Sequence, residues 1–258
     1  MVPSWLLEIL RCPETLDRLT EHDEVLKRSD GKSYAIVRGI PSLVFPQAAR
    51  GDDATWQRFY DAFAALYDIN ERIMGRILTG LNVSAERERL ISSLGLQPGM
   101  SILEVSPGPG VYQEQIRSLV GSGAHYAAVD LSMGMLTQCQ KHHRSLNVCL
   151  IHANGSSLPL ADGSFDALFH FGGVNLFDEP GRALSEFVRV VRQGGIVSWG
   201  DEGFSPSVPD GWKKRFLTRM NPGYLRPPPP PPAGLTDLRR IEVFGGYGYL
   251  MVARNAVS

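Results

Sequence analysis

The chain has 258 residues, of which 43% are hydrophobic and 21% charged, a composition typical of a globular protein with a sizeable core. The formal charge of -1 excludes the surplus of positive charge that marks many nucleic-acid-binding proteins. The N-terminus has no basic leader, and no apolar run has the length of a membrane span. Three cysteines, Cys12, Cys139 and Cys149, are too few and too scattered for a disulfide framework, so we expect a cytoplasmic protein.

The first 45 residues differ in pattern from the rest. Residues 6–13, Leu-Leu-Glu-Ile-Leu-Arg-Cys-Pro, predict a short helix that runs into a turn, and residues 34–44 predict a strand, a turn and a second strand. These stretches resemble the small zinc-ribbon-like domain of bacterial methyltransferase-activator proteins. That family pairs a Leu-Leu-Glu-Ile-x-x-Cys-Pro-x-Cys opening with a later Tyr-Pro-Ile-x-x-Gly-Ile-Pro-x-Leu. The resemblance implies a small N-terminal α+β domain.

The metal-binding residues of that pattern are missing. Thr15 stands where the second cysteine would be, and Lys27 lies near the position of the later thiolate, which leaves Cys12 alone. Because a tetrahedral zinc site needs four nitrogen or sulfur ligands, we predict that this domain binds no metal. Its open roles are covering part of the active site, supporting a homodimer, recognising a partner, or packing alone.

Residues 47–53 predict a linker, and residues 56–94 carry apolar side chains at helical spacing. Within this stretch Tyr60 and Tyr67 are each followed by an aspartate. Such Tyr-Asp pairs resemble those that precede the core of small-molecule methyltransferases similar to the ubiquinone-biosynthesis type, where this region covers S-adenosylmethionine (SAM) and the acceptor. The resemblance implies a helical lid over residues 46–94 with these two tyrosines in it. The alternative is that both aromatic side chains belong to the core.

The central pattern is a strand, a glycine-rich turn and a helix over residues 102–120, with the turn reading Ser-Pro-Gly-Pro-Gly. A second apolar run ends at Asp130, about 20 residues past the turn, where a carboxylate can bind the hydroxyls of a ribose. No third glycine follows Gly110 at the spacing of a dinucleotide site. We therefore expect a nucleoside ligand rather than a pyrophosphate.

This stretch resembles motif I of class I SAM methyltransferases, hydrophobic-Glu-hydrophobic-Gly-x-Gly-x-Gly, with Ser106 at the position of the first glycine. Residues 153–166 resemble the family's Gly-Asp-Ala-x-x-Leu-Pro-Phe-x-Asp-x-Ser-Phe-Asp, whose first acid accepts the adenine amino group. Asn154 takes that position, and its amide oxygen can accept as a carboxylate would. The resemblance implies SAM as cofactor, bound by Glu104, Ser106, Gly108, Gly110, Asp130, Leu131, Asn154, Gly155 and Phe171, with Tyr60 and Tyr67 in the lid.

Two further parallel strands are predicted at residues 167–171 and 196–200, separated by a helix. Their carboxyl ends bring His170 and Glu202 to the edge where open parallel sheets bind ligands. For a hydroxyl acceptor a base is useful, and His170 is the first candidate and Glu202 the second. An amine or an activated carbon needs no protein base. The alternative for His170 is a packed, hydrogen-bonded core histidine.

The C-terminal part predicts a short basic helix at residues 212–220, a stiff connector of six prolines at 227–232, and a closing antiparallel hairpin within residues 240–254. The predicted fold class is α/β: a Rossmann-like, seven-stranded, mostly parallel SAM methyltransferase sheet with an antiparallel C-terminal hairpin. It spans residues 95–258 and follows the N-terminal domain at 1–45 and the lid at 46–94.

Three functions follow as hypotheses. The first is a SAM-dependent methyltransferase acting on O, N or C of a small-molecule acceptor in biosynthesis. The second is an RNA methyltransferase, because enzymes with a zinc-ribbon start and this core modify ribosomal RNA; the lost thiolates and the absence of surplus positive charge argue against it. The third is a protein that binds SAM without transferring methyl, which Ser106 and Asn154 leave open. We expect neither a nucleic-acid nor a membrane partner.

Overall fold

A computed structural model describes residues 1–45 and 80–256. The predicted linker, the first part of the predicted lid, and Tyr60 and Tyr67 lie outside the described residues. Within the described part the chain forms a four-stranded sheet and a seven-stranded sheet. None of the helices in that part is long and apolar enough to cross a membrane.

The small N-terminal domain contains one helix and an antiparallel sheet whose four strands follow in chain order. Its elements are α1 (Ser4–Ile9), β1 (Thr20–His22), β2 (Val25–Lys27), β3 (Ser33–Val37) and β4 (Ile40–Pro41). The sequence predicts α1 and the β3–β4 hairpin but misses the β1–β2 hairpin. Its turn residues Asp23 and Glu24 have φ values of 51° and 60°, a left-handed pair for which Asn-Gly or Asp-Gly is the usual sequence signal.

The larger sheet confirms the predicted Rossmann-like topology. Its strands are β5 (Ile102–Val105), β6 (Tyr126–Asp130), β7 (Cys149–His152), β8 (Phe165–Phe171), β9 (Val191–Glu202), β10 (Leu235–Val243) and β11 (Gly248–Asn255). Their order is β10-β11-β9-β8-β5-β6-β7. The five strands from β9 to β7 run parallel, and β11 pairs antiparallel with both β9 and β10. Helices join β5 to β6, β6 to β7 and β8 to β9, whereas residues 153–164 join β7 to β8 without a helix.

The helices of the core are α2 (Val83–Ser92), α3 (Gln113–Val120), α4 (Met133–His142), α5 (Pro180–Val190) and α6 (Trp212–Met220). Short 3-10 turns lie at Arg144–Leu146, Val174–Leu176, Pro222–Leu225 and Phe244–Gly246. Ser132 is the N-cap of α4, since its side-chain oxygen accepts a 3.0 Å hydrogen bond from the Met135 N–H. This cap places the start of α4 beside Asp130.

The larger sheet is buried on both of its faces. All four residues of β5 are buried, which gives the continuous apolar run expected of a central parallel strand. On one face, α5 packs Leu184 and Phe187 into the same core as Leu103 and Val197. Burying one such side chain contributes about 1.5–3 kcal/mol. The carboxyl ends of the central strands are thereby held rigidly at one edge.

The N-terminal domain packs against the outer strand of the larger sheet. Ser42 forms a parallel bridge to His152 at the end of β7, and the Leu43 N–H donates a 2.8 Å hydrogen bond to the His152 carbonyl. Leu6 and Leu10 share one apolar core with Leu160 and other residues of the larger domain. The domain therefore covers an edge strand that would otherwise expose unpaired backbone groups.

Candidate functional site

The turn after β5 adopts the backbone conformation of a ligand-binding glycine loop. Ser106, Gly108 and Gly110 have positive φ values of 55°, 55° and 91°. A Cβ at Gly108 would meet no atom within 4 Å, whereas one at Gly110 would lie 2.6 Å from a ring carbon of His143. Gly108 thus leaves open space above the backbone, and Gly110 allows close packing of the loop against α4.

Asp130 ends β6 directly beside this loop. Its carboxylate accepts a 3.1 Å hydrogen bond from the Gly108 N–H through Oδ2 and a 2.9 Å hydrogen bond from the Ser132 N–H through Oδ1. The side chain is half-buried. A carboxylate can accept about four hydrogen bonds, so Asp130 both orders the loop and can accept from further donors. Leu131 follows it at the same edge and is also half-buried.

Glu104 lies inside the sheet rather than at its open edge. Its side chain is 1% exposed, and the Tyr126 hydroxyl donates a 2.7 Å hydrogen bond to Oε2. Burial raises the pKa of this carboxyl from 4.5 to about 7, against the opposing effects of the neighbouring Tyr126 hydroxyl and Gln113 amide. The structure therefore does not bring Glu104 together with Asp130 at the open edge.

Asn154 and Gly155 follow β7. Asn154 is 7% exposed, and its Oδ1, the atom predicted to accept from adenine, accepts a 2.9 Å hydrogen bond from the Ser156 N–H. A Cβ at Gly155 would lie 3.1 Å from Val105 and 3.2 Å from Phe177. Close packing therefore favours glycine at this position, and the Asn154 amide is held in a fixed orientation.

The prediction that His170 sits at the mouth of the site is wrong. The side chain is 0% exposed, its Nδ1–H donates a 2.9 Å hydrogen bond to the Val105 carbonyl, and its ring lies 5.4 Å and 5.6 Å from the rings of Phe177 and Phe187. Burial lowers the pKa of His170, against smaller opposing effects from Val105 and Asp201. Its complete burial argues against His170 as the base and agrees with the alternative of a packed, hydrogen-bonded core histidine.

Glu202 and Phe171 end the neighbouring strands. Glu202 is half-buried, and its Oε2 accepts a 3.0 Å hydrogen bond from the Asn221 side chain. The Phe171 ring is half-buried between the rings of Tyr112 and Phe244, at 6.0 Å and 5.5 Å. Of the two predicted base candidates, Glu202 is the one that reaches solvent.

Asp201 comes directly before Glu202 at this edge, and the sequence assigns it no role. It is 3% exposed, and its carboxylate accepts hydrogen bonds from the N–H groups of Gly173, Asn175 and Glu202 at 2.9, 3.0 and 2.9 Å. It therefore fixes the loop that follows β8. Its place beside Glu202 at a strand end was the available signal.

His152 links the N-terminal domain to the same edge and was also missed. Its Nε2–H donates to the Leu131 carbonyl at 3.0 Å, so its Nδ1 accepts from the Ser42 hydroxyl at 2.9 Å. A histidine held in one tautomer by both neighbours is a rigid connector. The N-terminal domain thus contacts the segment that carries Asp130.

Around Cys12 the structure has a hydrogen-bonded cluster. The buried Cys12 thiol lies 3.0 Å from the Tyr34 hydroxyl and 3.5 Å from Arg28 Nη1. Although burial raises the pKa of this thiol, hydrogen bonds from Thr15, Tyr34 and nearby backbone groups outweigh it and lower the pKa to about 7. Within residues 1–45 and 80–256 no group of three or more His, Cys, Asp or Glu residues could hold a metal ion.

Comparison with known proteins agrees with this geometry. Residues 103–198 match the family model described as a methyltransferase domain. A demethylmenaquinone methyltransferase of Corynebacterium urealyticum is 35% identical over 167 residues, which cover 63% of this chain and 66% of the relative. The corresponding enzyme of Corynebacterium kroppenstedtii is 33% identical over 141 residues, covering 55% and 57%. The chain therefore spans between about half and two thirds of these relatives.

A solved structure supports the fold. The crystal structure of a SAM-dependent methyltransferase from Aquifex aeolicus matches with a TM-score of 0.51 and 22% identity, covering 66% of this chain and 89% of that one. The sheet order, the glycine loop and the methyltransferase family model matched by residues 103–198 together support the class I SAM-dependent methyltransferase fold that the sequence predicts for the core.

Proposed function

We propose that this chain is a SAM-dependent methyltransferase that transfers a methyl group to an oxygen, nitrogen or carbon atom of a small-molecule acceptor. The observation that carries the proposal is the contact between the glycine loop and Asp130, in which the Gly108 N–H binds the Asp130 carboxylate. This contact lies at the carboxyl end of parallel strands, where open sheets of this kind bind ligands, and within the matched methyltransferase domain.

The residues at this edge fit a nucleoside. The open space at Gly108 lets a ligand approach the backbone of the loop. Asp130 would accept from the ribose hydroxyls in addition to its two backbone partners. Asn154 would accept from the adenine amino group beside its bond to Ser156, because an amide oxygen has two lone pairs.

The chain's own contribution to the reaction is mainly positioning. SAM supplies an electrophilic methyl group on its sulfonium, so the protein gains most by orienting the acceptor and excluding water. We assign Asp201 the role of a positioning residue, because its carboxylate fixes the loop at residues 173–175. For a phenol acceptor, whose reference pKa is about 10, Glu202 is the proposed base. An amine or an activated carbon needs no such group.

The acceptor class we propose to test first is a reduced naphthoquinone. The two relatives described above are named demethylmenaquinone methyltransferases. Beyond the end of β9, the rings of Phe204 and Tyr224 stack with their centroids 4.8 Å apart. Aromatic side chains of this kind pack favourably against a flat aromatic acceptor, which supports this choice.

The first experiment is calorimetric titration of the full chain with S-adenosylhomocysteine and, in parallel, with NAD. We expect micromolar binding of S-adenosylhomocysteine and none of NAD. Replacing Asp130 with alanine should weaken binding more than tenfold, while Asp162→Ala, a change at a 75% exposed side chain, should leave it unchanged. Unchanged affinity in Asp130→Ala would remove the main support for the proposal.

The acceptor is tested with radiolabelled SAM and a reduced naphthoquinone, an RNA pool and no acceptor in separate reactions. Labelling of the quinone would support the proposed acceptor class. RNA-dependent labelling would replace it with RNA methylation. Tight binding of S-adenosylhomocysteine without transfer to either acceptor would favour a role in which the ligand is bound and methyl is not transferred.

A further inference from the structure

A cavity of about 650 Å³ lies between the N-terminal domain and the core. One wall comes from α1 and the β3–β4 hairpin, and the other from α4, the turn after it and β7. Its volume falls within the roughly 300–1,000 Å³ of small-molecule sites. Asp130, Asn154 and Gly108 are not among its described lining residues, so it is distinct from the proposed nucleoside site.

The lining of this cavity combines apolar and cationic groups. Leu6 and Ile40 from the N-terminal domain and Leu150 from β7 provide apolar surface, and Arg38 and Arg144 provide positive charge. No aspartate or glutamate is among the described lining residues. Neither arginine has an ion-pair partner within residues 1–45 and 80–256. The local charge therefore differs in sign from the slightly negative chain as a whole.

Arg38 is held at the rim in an unusual backbone conformation. It forms the two-residue turn between β3 and β4 together with Gly39, and its φ is 55°, a left-handed value that long side chains rarely adopt. The Gln140 side chain on α4 donates a 3.2 Å hydrogen bond to the Arg38 carbonyl. The turn is thus fastened across the cavity, with the arginine at its opening.

Gln113 is a buried polar residue of the cavity wall. It lines the cavity and is 0% exposed. Its amide interacts with the side chains of Glu104 and Cys139 and favours their ionised forms. These contacts hold Gln113 in the wall, so recognition of a charged group falls to Arg38 and Arg144.

We propose that this cavity binds a small molecule with an apolar body and one anionic head group, either a carboxylate or a phosphate. The guanidinium groups of Arg38 and Arg144 bind the head group, since the arginine fork matches both kinds of oxyanion. The apolar body packs against Leu6, Ile40 and Leu150. The inference concerns binding alone and does not depend on methyl transfer.

One wall of the cavity also touches the glycine loop. Cys139 and His143 line the cavity, and a Cβ at Gly110 would lie 3.0 Å from the Cys139 sulfur and 2.6 Å from the His143 ring. A ligand in the cavity therefore lies one side-chain layer from the loop.

The test uses octanoate and phenyl phosphate as probes and octanamide as the uncharged match, with dissociation constants measured by calorimetry on the full chain. We expect both anions to bind and octanamide to bind at least tenfold more weakly. The double variant Arg38→Gln/Arg144→Gln should lose at least tenfold in affinity for octanoate. The control Arg215→Gln/Arg219→Gln makes the same change in charge on α6, which is not among the described lining elements, and should bind like the unaltered protein.

Cys149 reports the location of the bound probe. It is a free, half-buried cysteine in the cavity wall, so octanoate should slow its alkylation by N-ethylmaleimide, detected by peptide mass spectrometry. The melting temperatures of the variants check that they fold. No binding of either anion, equal affinity of the two double variants, equal binding of octanamide, or unprotected Cys149 at saturation would each overturn the proposal.

Discussion

The glycine loop at residues 106–110 and the segment around Cys12 each lack residues expected from the motifs that they resemble. They differ in which groups remain to bind a ligand. In the loop, Ser106 replaces a glycine, and near it Asn154 replaces an acid. The groups that would hold a ligand at this edge are largely backbone N–H groups and one carboxylate, Asp130. Because the strands position the backbone, these groups keep their place when neighbouring side chains change.

Around Cys12, in contrast, the groups that matter are side chains. A zinc ribbon is held by side-chain donors alone, so each replaced cysteine removes a ligand. Here Tyr34 and Arg28 surround the remaining thiol. The comparison indicates that a site built from backbone groups depends less on individual side chains than a site built from side chains, such as the hydrogen-bonded cluster around Cys12.

The largest effect is expected where the backbone of the loop is altered directly. Gly110→Ala adds a methyl group 2.6 Å from His143 at a φ of 91°, so left-handed strain and overpacking together should lower the free energy of unfolding on the order of 4 kcal/mol. Gly108→Ala is the matched control, since its Cβ meets open space and should cost about 1 kcal/mol. Urea unfolding measures both.

The Gly108→Ala and Gly110→Ala variants also distinguish an effect on folding from an effect on ligand binding. We expect Gly108→Ala to fold but to weaken S-adenosylhomocysteine binding more than Asp162→Ala does, because its methyl group occupies the space above the loop. Equal stability of the Gly108 and Gly110 variants would show that the loop does not depend on its packing against α4.

The second-largest expected effect is a change in the free energy of unfolding with pH. The pKa of Glu104 is raised from 4.5 to about 7, so between these values the folded state holds a proton that the unfolded state has released. The contribution of Glu104 to stability should therefore fall as pH rises from 4.5 to 7, on the order of 3 kcal/mol in total, and level off above pH 7. Denaturant unfolding at a series of pH values measures this slope. Glu104→Gln should lack it, and the same slope in that variant would disprove the assignment.

The Cys12 cluster should give the opposite pH response. The pKa of its thiol is lowered from 9.0 to about 7, so between pH 7 and 9 the unfolded state holds the extra proton. The contribution of Cys12 to stability should rise by about 2 kcal/mol as pH increases over this interval and be absent below pH 7. Cys12→Ser, which does not titrate in this range, should abolish the rise.

A bound metal ion would also depress the thiol pKa, so metal analysis of the purified protein is the control for this prediction. We expect no stoichiometric zinc. One zinc per chain would contradict both the prediction of a metal-free domain and the explanation of the pH response by hydrogen bonds.

The sequence predicts the strand at Ile102–Val105 and the helix at Trp212–Met220 with the observed bounds, because turns and spacing mark them locally. It does not reveal the burial of His170. Strand β8 is covered on both faces, so alternation carries no signal of which side faces the ligand, and Phe177 and Phe187 come from later segments. The sequence places Asp201 at the same strand end as Glu202 but does not reveal its role, since its partners Gly173 and Asn175 lie in a different loop.

The smallest expected effect tests the tolerance of the loop itself. Ser106 has a φ of 55°, where a serine is strained and a glycine is not. Ser106→Gly should therefore raise the free energy of unfolding by about 1 kcal/mol while S-adenosylhomocysteine binding stays within twofold. Ser93→Gly is the control: Ser93 has a φ of -73°, so the same change should lower stability there. A loss of binding in Ser106→Gly would mean that the serine side chain, and not the backbone alone, holds the ligand.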